Sequence, residues 1–128
     1  MSASERGLLE GRRVLVVEDE YFLADDMERA LRQLGAEVIG PVPTAEAAMA
    51  ALERDQPIDA VVLDINLRGQ MGFSVADALL ARKIPFVFAS GYDQAIIPSG
   101  YSHVGHWMKP FDARELVRTL PTLIRDKP

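Results

Sequence analysis

The chain has 128 residues, 48% of them apolar, with a formal net charge of −5 and no cysteine. That length suits one domain burying roughly two-thirds of its unfolded surface, and the missing thiols exclude disulfides, zinc–thiolate centres and cysteine nucleophiles. The acidic balance argues against nucleic acid as a nonspecific partner, and no apolar stretch approaches the roughly 20 residues of a membrane span.

Residues 1–11 carry no apolar signal core and are expected as a flexible lead-in to a cytoplasmic domain with no membrane partner. Beyond them, short apolar runs alternate with longer amphipathic stretches, the pattern of βα units around a buried parallel sheet. The first strand is expected over 13–18, through Val14-Leu15-Val16-Val17. Leu23, Met27, Ala30, Leu31 and Leu34 then recur at helical spacing, with Gly35 as the C-terminal stop. A short second strand over 37–39 gives way to a turn at Gly40-Pro41-Val42-Pro43. Thr44 is placed to cap the second helix, which runs to about residue 54. After Pro57 the third strand, Ala60-Val61-Val62-Leu63, ends at Asp64.

A loop over 65–71 contains Gly69, and Gly72 leads into a third helix over 73–82. The fourth strand is expected over 85–90. Gly91, Pro98 and Gly100 crowd the next stretch, so a fourth helix should be short or disordered and confined to 93–97. The fifth strand follows over 105–109. Asp112 and Glu115 form a capping-box-like pair at the start of the fifth helix, and Pro121 should interrupt it. Residues 126–128 read as a fraying tail. This order predicts an α/β fold: a flavodoxin-like (βα)5 doubly wound parallel sheet with strand order 2-1-3-4-5.

In such a sheet, ligands bind outside the carboxyl ends of the strands. Glu18, Asp19, Asp64, Ser90 and Lys109 all fall there, and adjacent first and third strands bring the three carboxylates together. Two carboxylates about 5 Å apart repel by roughly 3 kcal/mol at an effective dielectric near 20. Three ionised groups opposed by Lys109 alone would be strained or would retain protons. A divalent ion removes the imbalance, and hard oxygen donors select Mg²⁺. The Asn66 backbone carbonyl can reach the same ion. Asp64 is then the natural nucleophile toward phosphorus, with Lys109 and Ser90 meeting the phosphoryl oxygens.

Four motifs occur in order: Val16-Val17-Glu18-Asp19-Glu20, Leu63-Asp64-Ile65-Asn66, Ser90-Gly91 and Lys109-Pro110-Phe111. On these the chain resembles the receiver domain of two-component response regulators over residues 12–125. The resemblance implies that Asp64 is the phosphoacceptor of a sensor histidine kinase or phosphotransferase. It assigns Asp19, Asp64 and the Asn66 carbonyl to Mg²⁺, with Glu18 acting through water, and has Ser90 and Lys109 sense the phosphoryl group. It also implies a cis Lys109–Pro110 peptide. Residues 85–92 resemble the alphaproteobacterial FATGUY subfamily of single-domain receivers, which implies an HWE-type kinase. His106 stands where an aromatic switch residue is usual, with Trp107 beside it, and Ser90 where threonine is commoner.

Two functions of different class follow. The first is a stand-alone receiver, not an enzyme beyond its own phosphorylation and dephosphorylation, that signals through a downstream protein or serves as a phosphate shuttle. Little sequence remains after the fifth helix for an output domain. The alternative is a Mg²⁺-dependent phosphohydrolase working through an aspartyl-phosphate. Such enzymes place a second acid two residues past the nucleophile, and Asn66 counts against that. Flavin phosphate binding is disfavoured by repulsion from Glu18-Asp19-Glu20.

Overall fold

Along β1 (Arg13–Val17), Val14 and Val16 face one side of the sheet while Leu15 and Val17 face the other. Both sets are fully buried, as a parallel sheet covered on two faces requires. β3 (Ala60–Asp64) and β6 (Phe86–Ser90) repeat the pattern. β2 (Glu37–Val42) and β7 (Gly105–Met108) form the edges, and all pairs in this sheet are parallel. The order β2-β1-β3-β6-β7 is the expected 2-1-3-4-5 once a small hairpin, β4 (Asn66–Leu67) with β5 (Gln70–Met71), is set aside. The computed structural model describes residues 6–91 and 97–126.

Helices cover both faces. α1 (Tyr21–Gln33), α4 (Ala113–Val117) and α5 (Leu120–Arg125) pack against Val14, Val16, Val62 and Val87. α2 (Ala45–Glu53) and α3 (Phe73–Ala81) cover Leu15, Val61, Leu63, Phe86 and Phe88 on the other side. α1 is amphipathic because Ala24, Met27, Ala30 and Leu31 share one buried stripe. Its solvent side carries ion pairs of Arg29 with Asp25 and Asp26, and of Arg32 with Glu28. Thr44 caps α2 as expected, its hydroxyl accepting the Ala47 N–H at 3.0 Å.

Several elements differ from the sequence expectation. β2 does not turn after Ile39 but continues through a cis Gly40–Pro41 peptide to Val42, which pairs with Val17. One extra residue in β2 is absorbed by a register shift after Leu15, a bulge that an edge strand tolerates together with its proline. The expected loop over 65–71 contains the β4–β5 hairpin. Asp112 accepts the Arg114 N–H at 2.9 Å rather than that of Glu115. Leu9, placed by the sequence reading in a loose lead-in, is fully buried, and its N–H reaches the Leu34 carbonyl at 2.8 Å.

Pro121 does divide the last helical segment, lying in the first turn of α5 where a missing N–H is harmless. Most of the expected fourth helix, 93–97, lies outside the described residues. From Ile97 onward the connection to β7 holds one 3₁₀ turn, Ser99–Tyr101. Tyr101 anchors it: the ring stacks on Phe73 at 5.3 Å, and the hydroxyl donates to the Asp77 carboxylate on α3.

Candidate functional site

The strand registers place Val17 beside Leu63, Asp64 beside Ala89 and Ser90 beside Met108. The residues just past these positions therefore emerge at one end of the sheet. Glu18 follows β1 with its N–H on the Val42 carbonyl at 2.9 Å, and its own carboxylate accepts the Glu20 N–H at 3.0 Å. Asp64 Oδ1 accepts the Asn66 N–H at 3.1 Å. The chain then turns sharply enough that Gly72 returns against it. A Cβ on Gly72 would sit 2.9 Å from the Asp64 carbonyl oxygen, so no larger residue fits without displacing the end of β3. Lys109 follows β7, with its N–H on the Ser90 carbonyl at 2.7 Å, and the Lys109–Pro110 peptide is cis.

Glu18, Asp19 and Asp64 present carboxylate oxygens that all lie within 4.8 Å of one another. Lys109 Nζ is 3.1 Å from Asp64 Oδ2, 3.1 Å from Glu18 Oε1 and 3.5 Å from Glu20 Oε1. Glu18 and Asp64 keep only 5% and 2% of their surface, whereas Asp19 is half-buried. Burial pushes the Glu18 carboxyl up from 4.5 to about 8, and the neighbouring Asp64 adds to the rise. Burial also raises Asp64, against the opposing pull of Lys109. Burial alone would lower the Lys109 ammonium, but the Asp64 and Glu18 charges outweigh it and the net shift is upward.

The pocket thus holds more buried carboxylate than one ammonium can neutralise. Burial and the neighbouring Asp64 accordingly favour the protonated form of Glu18. The three clustered carboxylates offer hard oxygen donors, and together they fit a small divalent cation such as Mg²⁺. A cleft of about 280 Å³ opens above, lined by Asp19, Glu20, Asp64, Asn66, Gly91 and Lys109. Ser90 is fully buried at the end of β6, below Gly91 at the cleft wall. Glu18, Asp19, Asp64 and Lys109 are therefore gathered directly, and Ser90 and Asn66 sit at the edges of the same site. Glu20, not among the residues expected at the site, also lines the cleft and reaches Lys109. The third acid in Glu18-Asp19-Glu20 was the signal for it.

Residues 14–121 match the family model for the response regulator receiver domain. The chain belongs to this family. Among curated relatives, the sensory transduction protein LytT of Bacillus anthracis is 36% identical over 119 residues, which cover 90% of this chain and 48% of that protein. The receiver spans about half the length of the curated relatives it matches. Among solved structures, SdrG from Sphingomonas melonis Fr1 is 38% identical with a TM-score of 0.76, covering 88% of this chain and 96% of that one. The receiver domain of the sensor histidine kinase PA1611 from Pseudomonas aeruginosa PAO1 is 28% identical with a TM-score of 0.71, over 91% of this chain and 99% of that one. That structure holds a magnesium ion coordinated in its active-site cleft. Receiver domains are signalling modules of two-component systems rather than conventional enzymes. Among the described residues, no helix is long and apolar enough to cross a membrane.

Proposed function

We propose that this receiver accepts a phosphoryl group on Asp64 from a phosphohistidine of a sensor kinase or phosphotransferase, in a Mg²⁺-dependent reaction. The observation that carries the reading is the convergence of Glu18, Asp19 and Asp64 within 4.8 Å, with Lys109 3.1 Å from Asp64. Asp19, Asp64 and the Asn66 carbonyl would hold the cation, with Glu18 reaching it through water. Bound there, Mg²⁺ supplies positive charge against the phosphoryl oxygens.

The chain's own residues supply the rest. An Asp64 carboxylate oxygen attacks phosphorus as the donor's P–N bond breaks, and the imidazole leaves with the bonding pair and takes up a proton. The reaction needs Asp64 ionised, and the Lys109 ammonium favours that form while standing ready for a phosphoryl oxygen. The Ser90 hydroxyl is the second phosphoryl contact. Gly91 brings no side chain to the cleft wall, and among the described residues no atom lies within 4 Å of where its Cβ would stand. The receiver unit is taken as residues 12–125, a cytoplasmic stand-alone domain signalling through contacts with a downstream protein or serving as a phosphate shuttle. Its match to nearly all of the SdrG chain supports that organisation. The resemblance of residues 85–92 to FATGUY receivers supports an HWE-type kinase as donor.

Hydrolysis of phosphate esters in multiple turnovers is disfavoured, because Asn66 Oδ1 is engaged by the Gly69 N–H at 3.1 Å and offers no acid to a leaving group. Incubation with acetyl phosphate and Mg²⁺, read by intact mass, tests the reading. One phosphoryl group per chain, absent in Asp64→Asn, is expected; undiminished labelling of that variant would place the acceptor elsewhere.

A further inference from the structure

The β4–β5 hairpin that follows Asp64 closes through a two-residue tip. Asn66 pairs with Met71 and Leu67 with Gln70, leaving Arg68 and Gly69 between them. These two have φ of +52° and +85°. Positive φ at both central positions is the type I′ pattern, which asparagine–glycine adopts readily and an arginine at the first position adopts at a cost. Something must hold the tip in place.

The contacts that hold it lead back to the acidic pocket. Asn66 Oδ1 accepts the Gly69 N–H at 3.1 Å, so one side-chain amide spans the tip. The neighbouring Arg68 N–H then donates to Asp19 Oδ2 at 3.1 Å. At the base, the Asn66 N–H is on Asp64 Oδ1 at 3.1 Å, and the Gly72 N–H is on the Ile65 carbonyl at 2.6 Å. Asp19 is half-buried, less enclosed than Glu18 or Asp64, and this backbone donor restricts its carboxylate. A ligand fixed before its cation arrives gives up less rotational freedom on binding.

We propose that the Asn66 side chain is a positioning group: by closing the Arg68-Gly69 tip it aims the Arg68 N–H at Asp19 and presets that carboxylate for the cation. The inference rests on the reading of Glu18, Asp19 and Asp64 as a Mg²⁺ site. It is separate from the Asn66 main-chain carbonyl, which any residue at position 66 supplies. The side chain acts at a distance, through the turn.

Calorimetric titration of the full chain with Mg²⁺ tests this, with acetyl phosphate labelling of Asp64 read separately. Asn66→Ala keeps the carbonyl and loses the tip acceptor. Gly69→Ala strains the tip at φ +85° without altering any ligand. Both are expected to bind Mg²⁺ about three- to tenfold more weakly than wild type, the worth of one hydrogen bond. Asn66→Ser, whose hydroxyl can accept the same N–H, is expected to recover most of the loss. Wild-type affinity in both Asn66→Ala and Gly69→Ala overturns the proposal, as does a loss in Asn66→Ser equal to that in Asn66→Ala. A wild-type chain that takes up neither Mg²⁺ nor phosphoryl would instead overturn the reading of the site itself.

Discussion

Lys109 and Asp64, 45 residues apart in sequence, meet at 3.1 Å at the carboxyl end of the sheet. The same ammonium reaches Glu18 at 3.1 Å, so one cation serves two carboxylates that are both almost wholly buried. Desolvation and mutual repulsion leave those carboxylates short of positive charge, and the chemistry proposed for the site follows from that shortage.

Replacing Asp64 with asparagine removes the nucleophile and one of the clustered charges at once. No phosphoryl group should be incorporated from acetyl phosphate, since an amide oxygen forms no stable acyl phosphate here. The fold should survive, because the lost group is one whose ionisation burial opposes. Intact mass and a urea melt check the two halves, and a stability loss beyond about 2 kcal/mol would mean that the Lys109 pair is structural.

Lys109→Ala separates metal from signal. The ammonium repels an incoming dication, so Mg²⁺ affinity should hold or rise when it is removed. The expected defect is downstream: Asp64 is still labelled, more slowly, but the labelled and unlabelled proteins become alike in the contacts they make. Mg²⁺ titration and amide exchange of β7 with and without acetyl phosphate would read this. Abolished metal binding would show that Lys109 orders the carboxylates rather than answering the phosphoryl group.

Much of this was legible in the chain because strand ends are marked by abrupt changes of chemistry. Val14-Leu15-Val16-Val17 gives way to Glu18-Asp19, and Ala60-Val61-Val62-Leu63 to Asp64, so the parallel order alone brings the acids together. Less legible were features set by tertiary geometry. Gly40-Pro41 reads as a turn, yet β2 is an edge strand and a bulge carries it on to Val42. Arg68-Gly69 lacks the asparagine that marks a type I′ tip, and its stabilising partner Asn66 is recognisable only once the hairpin is folded. Leu9 is buried because the chain before β1 doubles back on the end of α1, a contact that no local pattern encodes.

Tyr101 gives a measure of what fastens the β6–β7 connection. Its ring lies against Phe73 and edge-on to Phe88 at 5.8 Å, and burial together with Asp77 pushes its hydroxyl up to about 12. Tyr101→Phe keeps the ring contacts and loses the bond to Asp77, which is exposed and can turn to water. The expected cost is about 1 kcal/mol. Tyr101→Ala also empties the aromatic cluster and should cost about 3–5 kcal/mol. Equal losses in urea melts would mean that the hydroxyl, not the ring, carries the anchor.

The pH dependence of stability has a definite sign. Without metal, the Glu18 carboxyl ionises near 4.5 in the unfolded chain and near 8 in the folded one. Between those values the folded state binds more protons than the unfolded state, so unfolding free energy falls as pH rises. The contribution is complete below about 4.5 and is lost by the time the pH passes through about 8. Asp64 shifts in the same direction and reinforces the slope, while Lys109, raised from 10.5, titrates above this window. A saturating divalent cation stabilises the ionised form of Glu18 and should flatten or reverse the trend. The urea midpoint of the metal-free protein is therefore expected to decline from pH 5 to pH 8 in wild type and to change less in Glu18→Gln, which cannot ionise at that position. Wild type and Glu18→Gln falling in parallel across the range would show that the slope comes from other groups and that Glu18 does not hold the proton.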